Sequence, residues 1–180
     1  SRMEDHYRWQ GPGMYMGFCT TPISQNTEAG GWQGLPPISS LSKEEAVSAR
    51  FIWLFPNTAV NILPNHSFVM ITRPDGPGHT VEDTFILSHP ESLANPEAEE
   101  KLDQLARFWD LVNVQDIEIV ERVQQGISNP EYRGGRMCYR FEEPLHRYQN
   151  MVIDKMVGIE RVPPGDDEEM VRMFDSNTDS

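Results

Sequence analysis

FIWLFPNTAVNILPNHSFVMITRPDGPGHTVEDTFIL, residues 51–87, consists of four short apolar runs divided by turn residues. The runs are FIWLF (51–55), TAVNIL (58–63), SFVMIT (67–72) and HTVEDTFIL (79–87). They are rich in β-branched and aromatic side chains, which suit a pleated, half-buried surface. Pro56-Asn57, Pro64-Asn65-His66 and the PDGPG at 74–78 separate them, and each of these is a turn former. Connections this short can join only antiparallel neighbours, because parallel strands need a long crossover. The stretch therefore predicts a four-stranded antiparallel meander.

Beyond His89-Pro90 the apolar period changes from two to about 3.6. Asn95-Pro96-Glu97 reads as a helix start, with Asn95 as cap and Pro96 at the first helical position. Leu102, Leu105, Trp109 and Val112, then Ile117, Val120 and Val123, recur at helical spacing. They predict an amphipathic helix over about 96–125, buried on the face of Leu105, Trp109, Val112 and Val120. PEYRGGRMCYR at 130–140 reads as a loop. A second helix is expected over about 142–157, with Leu145, Tyr148, Val152 and Met156 on its inner face. A sheet followed by helices is the α+β pattern. Upstream, residues 1–50 carry GPG, GG and PP and predict an irregular lead-in, with a short strand near Met14–Thr20. Residues 159–180 read as an acidic, mobile tail.

The formal net charge is −13, from 15 Lys and Arg against 28 Asp and Glu. That balance argues against a nucleic-acid partner, because phosphate binding needs clustered cations. No apolar run approaches the roughly 20 residues of a membrane span, so no membrane partner is expected. Cys19 and Cys138 lie far apart with no metal-ligand spacing, and the default reading is two buried thiols in a reducing cytoplasm.

Chemistry concentrates in FWDLVNVQDIEIVERVQQG, residues 108–126. On a helix Asp116 projects from a largely apolar stripe formed by Trp109, Val112, Ile117 and Val120. A carboxylate facing inward needs a partner, because burying it unpaired is costly. That partner is a metal ion or an Arg, unless Asp116 instead faces water beside Glu118 and Glu121. His6, His66, His79, His89 and His146 lie in separate segments, and each reads as a turn or surface residue. No P-loop, dinucleotide fingerprint, GxSxG or HExxH occurs.

Three stretches together resemble the catalytic domain of Rieske-type ring-hydroxylating oxygenase alpha subunits. They are FPNTAVNILPNHSFVM (55–70), FWDLVNVQDIEIVERVQQGISNPEYRGGRM (108–137) and FEEPLHRYQNMV (141–152). The resemblance implies a partial helix-grip fold, a curved antiparallel sheet packed on long helices. Residues 51–158 would be the C-terminal part of that domain and 1–50 its lead-in. It further implies Fe(II) held by two His and one carboxylate, with Asp116 matching the carboxylate. The histidines of the family come from a His-x4-His element preceding the matched region, and this sequence has none. The Cys and His motifs of the [2Fe–2S] Rieske cluster are likewise missing.

From the resemblance, the parent enzyme would take electrons from NAD(P)H through a separate reductase or ferredoxin. With O2 it would hydroxylate, dihydroxylate or demethylate a small organic substrate, aromatic or quaternary ammonium. It would be cytoplasmic and homotrimeric, and the chain alone would be inactive. Trp53, Phe55 and Phe68 could line an aromatic cage for a cation, although core packing explains them as well. The competing reading is a non-catalytic helix-grip module that binds an apolar ligand. Because the tail offers few apolar groups, deleting residues 166–180 should leave the thermal midpoint nearly unchanged. A marked fall in a melting experiment would mean that Met170, Met173 and Phe174 dock on the body.

Overall fold

The computed structural model of the protein describes residues 6–7, 11–20, 35–43 and 45–165. Six strands form one sheet in sequence order: β1 (His6–Tyr7), β2 (Tyr15–Thr20), β3 (Ala49–Leu54), β4 (Thr58–Ile62), β5 (Ser67–Pro74) and β6 (Thr80–Leu87). Every neighbouring pair is antiparallel. Three helices follow: α1 (Pro90–Leu93), α2 (Ala98–Ile127) and α3 (Tyr139–Met156). The architecture is α+β, and the four runs of residues 51–87 form the expected meander. The six-residue β2 pairs with β3 along its whole length, so part of the lead-in belongs to the sheet.

Register decides which side chains meet the helices. Phe51 faces Asn61, Asn61 faces Phe68, and Phe68 faces Ile86 across β3 to β6. Directly opposed residues share a face, so these four and Trp53 point to one side. That side receives the helices: Trp109 of α2 stacks on Phe68 at 4.2 Å, and Tyr148 of α3 meets Trp53 edge-on at 6.0 Å. The opposite face carries Leu54, Ile62, Phe85 and Leu87, all exposed. Gly17 in β2 sits where a Cβ would lie 2.7 Å from the Phe51 carbonyl oxygen, so only glycine permits this close strand approach. In the β5–β6 turn Gly76 has φ of +83°, the left-handed region that glycine enters without steric cost.

The helix α2 starts later than the sequence predicts. Residue 97 is its N-cap and makes no side-chain capping bond. Asn95 Oδ1 instead accepts from the Glu97 N–H at 2.9 Å, and Pro90 opens the short α1, capped by His89. Over 30 residues α2 extends about 45 Å, and only its first half is covered. Leu105 is buried and Trp109 and Val112 are half-buried, but Val120 is 64% exposed. The expected burial of Val120 is thus corrected: among the described residues nothing packs beside this part of the helix. Pairs at i and i+4, Asp103–Arg107 and Glu118–Arg122, support it locally, each worth a few tenths of a kcal/mol.

The inner face of α3 also differs from the expectation. Met156 is 81% exposed and Leu145 is exposed, whereas Met151 is fully buried. The face is turned because Arg147, Tyr148 and Met151 seat the helix against β2 and the β3–β4 turn. Arg147 donates to the carbonyls of Gly11, Gly13, Tyr15, Pro163 and Pro164. Tyr148 donates its hydroxyl to the Pro56 carbonyl at 2.7 Å. Residues 159–164, expected to be tail, are held by the same contacts. Pro163 is buried, its carbonyl accepts from Gly13 N–H at 3.1 Å, and Arg161 pairs with the buried Asp154. The remainder of the tail, residues 166–180, lies outside the described residues.

Coverage of α2 makes a contrast that mutation can read. Trp109→Ala should cost about 3 kcal/mol through lost stacking and cavity formation. Val120→Ala in the same chain should change stability by less than about 0.5 kcal/mol. Denaturant titration of both variants checks this, and equal losses would contradict the half-covered helix.

Candidate functional site

The turn between β4 and β5 brings Asn65 and His66 into the interior, at 5% and 3% exposure. His66 is therefore a buried residue, contrary to the surface role that its isolated position in the sequence suggests. Its Nε2 lies 2.9 Å from the Trp109 indole nitrogen, and its Nδ1 lies 2.7 Å from Asn65 Oδ1. An indole N–H can only donate, so Nε2 is the bare nitrogen and Nδ1 carries the proton. Nδ1–H then donates to Asn65 Oδ1, which leaves the Asn65 amide to donate to the Leu35 carbonyl at 2.7 Å. Every polar group along this line has a partner. The line runs from the loop at Leu35 through the sheet turn to α2.

Burial pushes the His66 imidazole down to about 4. Protonation at Nε2 would also set two N–H groups against each other, imidazolium and indole. Both effects favour the neutral ring, and both act only in the folded state.

Further along α2, Asp116 is exposed. It lies about two turns past Trp109 and about 20° around the helix from it. No hydrogen bond or ion pair commits its carboxylate among the described residues. Leu105, Trp109 and Val112 continue past Asp116 into Ile119, Val120 and Val123, all three exposed. Asp116 thus sits within an apolar stripe whose second half is uncovered, and not in the enclosed setting that the periodicity predicts. One turn before it, Asn113 donates to Glu82 Oε2 of β6 at 3.0 Å. Glu118 turns aside to Arg122.

The other histidines serve locally. His89 accepts from Glu91 N–H as the α1 cap, His79 is exposed in the β5–β6 turn, and His146 is exposed on α3. Cys138 is exposed, so its expected burial is corrected. The side chains of His6 and Cys19 lie outside the described residues. Trp53 and Phe55 pack on Tyr148, whereas Phe68 stacks on Trp109. The three aromatics are therefore divided between two packed clusters.

A metal site fits this arrangement only in part. An uncommitted carboxylate is a suitable hard ligand for Fe(II). Among the described residues, however, no three His, Cys, Asp or Glu side chains converge to hold an ion. Both ring nitrogens of His66 are already engaged, which removes it as a ligand. Sequence reasoning missed His66 and Asn65. The Asn-His pair between two apolar strands marks a turn, but it carries no sign of whether that turn faces water or core.

A family model described as "Ring hydroxylating alpha subunit (catalytic domain)" matches residues 1–158.

The His66 environment has a measurable consequence. A folded value below the unfolded value of about 6.5 means that the unfolded chain binds more protons between the two. The stabilisation, about 3 kcal/mol for a shift of this size, is present above about pH 6.5 and is lost as pH falls towards 4. Histidine ring signals followed by NMR should show His66 still neutral at pH 5. A midpoint near 6.5 would contradict the buried, Nδ1-protonated ring.

Proposed function

The chain belongs to the ring-hydroxylating alpha-subunit catalytic-domain family, and from that premise we propose that α2 carries the carboxylate ligand of its non-haem iron. Asp116 is that ligand. The observation that carries the reading is an acidic side chain with no protein partner among the described residues, set within the apolar face of a long helix and matching the family's motif. An anion in such a stripe becomes unfavourable once the stripe is covered, unless a cation joins it.

Fe(II), when bound beside the substrate, supplies the O2 chemistry. The residues of this chain contribute the anionic oxygen donor and the apolar walls on either side of it. Three protein ligands are usual at such a site, so the other two come from residues other than those described here. One ligand holds iron weakly, and the chain alone should be metal-poor and inactive. Electrons would reach the iron from a [2Fe–2S] Rieske cluster, supplied by NAD(P)H through a reductase or ferredoxin. The assembled enzyme would be a cytoplasmic homotrimer.

A small aromatic substrate is favoured over a quaternary ammonium compound. A cation cage needs convergent aromatic faces, and Trp53 and Phe55 are engaged by Tyr148 while Phe68 is covered by Trp109. Membership in a catalytic-domain family also favours the enzyme over a non-catalytic binding module.

In the complete alpha subunit, Asp116→Ala should remove iron and turnover while leaving the Rieske cluster's absorption intact. Metal analysis with single-turnover product formation decides this. Full iron and turnover in the variant would return Asp116 to a solvent-facing role.

A further inference from the structure

Two directional contacts hold α2 by the side on which Asp116 lies. The indole N–H of Trp109 donates to His66 Nε2 at 2.9 Å, and Asn113 donates to Glu82 Oε2 at 3.0 Å. His66 cannot shift to follow a rotating helix. Its other nitrogen is tied to Asn65, and Asn65 is tied to the Leu35 backbone. Glu82 lies on β6, whose pairing with β5 runs from Ser67↔Leu87 to Pro74↔Thr80. One anchor therefore lies in the β4–β5 turn and the other on β6, and both act on the helix within seven residues of Asp116. Past Asn113, the polar side-chain contacts of α2 among the described residues are local ones such as Glu118–Arg122 and Gln124–Ser128.

Geometry shows why this matters for a metal ligand. A side-chain tip lies about 5–6 Å from the helix axis, so each 10° of rotation moves it by about 1 Å. A ligand atom must hold its distance to within about 0.2 Å. Hydrophobic burial is not directional, and the Trp109–Phe68 stack, although it has a preferred geometry, resists rotation less sharply than a hydrogen bond. A hydrogen bond weakens steeply as its angle departs from linear, and so resists such rotation.

We infer that His66, acting through Trp109, and Glu82, acting through Asn113, are positioning residues that set the rotation of α2 and thereby aim Asp116 at the metal. The inference rests on Asp116 being the carboxylate ligand. Neither His66 nor Glu82 is a ligand in this arrangement. Each acts through a neighbour on the helix, and the two act independently, one from the β4–β5 turn and one from β6.

The test uses the complete alpha subunit and Fe(II) added anaerobically to the iron-free protein. Trp109→Phe keeps an aromatic ring on Phe68 and removes only the donor. Glu82→Ala removes the acceptor at an exposed position, and Glu82→Gln restores an acceptor oxygen without the charge. Met151→Ala serves as a buried control on α3, distant in sequence from both anchors. Outer partners of metal ligands typically contribute about 10–100-fold in affinity. Trp109→Phe and Glu82→Ala should each weaken Fe(II) binding by about tenfold, at the low end of that range. Near-infrared magnetic circular dichroism of the bound iron should show an altered ligand geometry in both. Glu82→Gln should bind as wild type, and Met151→Ala should melt earlier with unchanged affinity.

Wild-type affinity and spectrum in both Trp109→Phe and Glu82→Ala would overturn the inference. So would equal weakening in Met151→Ala, which would make the effect one of general stability. Glu82→Gln binding as poorly as Glu82→Ala would replace positioning by charge, and would overturn it too. Iron retained in Asp116→Ala would instead overturn the ligand reading beneath it. Loss of iron there, with unchanged affinity in the two positioning variants, would overturn the positioning inference alone.

Discussion

The hydrogen bond from the Trp109 indole to His66 is the contact on which the arrangement of helix and sheet depends. It lies in a region that has lost most of its water, where a polar group left without a partner costs a few kcal/mol. Each member of the line therefore constrains the next. The indole fixes the imidazole tautomer, the tautomer fixes the Asn65 amide, and the amide fixes the loop at Leu35. Three segments far apart in sequence are held by one chain of donors and acceptors with a single consistent direction. The stack of Trp109 on Phe68 adds apolar area beneath it. Stacking supplies attraction, and the hydrogen bonds supply orientation.

Arg147 does for α3 what this line does for α2, by different chemistry. Its guanidinium spreads its donors over five backbone carbonyls, gathering residues 11–15 and 163–164 onto one side chain. A planar cation with five N–H groups suits several carbonyl dipoles at once, as a lysine ammonium does not. The ring of Tyr15 lies beside the guanidinium, and the Tyr15 hydroxyl accepts from Gly11 N–H at 2.6 Å. Segments with little apolar area of their own are thus ordered by backbone hydrogen bonds to one charged side chain.

The two halves of α2 behave as different kinds of helix. The first half has a buried stripe and a polar side, the ordinary pattern of a helix on a sheet. The second half carries Val114, Ile117, Ile119, Val120, Val123 and Ile127 around its circumference, all exposed. Apolar residues on every side are characteristic of a helix enclosed by protein. Asp116 stands at the start of this second half. An enclosed setting is where its charge would require a cation, which links the uncovered surface to the proposed iron chemistry.

Strand period, turn residues and the 3.6-residue spacing of α2 are local properties, set by backbone sterics and by the need of each segment to bury one face. They were legible in residues 51–127 without any structure, and so was the antiparallel order, because short turns permit no other. Spacing could place Asp116 on the apolar side of the helix, but what marked it as a candidate ligand was the family resemblance. The interior position of His66 could not be read, because an isolated histidine in a turn carries no sign of whether that turn faces water or core. Nor could the extent of cover over α2 be read, because periodicity shows which face is apolar and not what lies against it. The rotation of α3 onto Met151 in place of Met156 has the same origin. It follows from Arg147 finding five carbonyls that only the folded chain brings together.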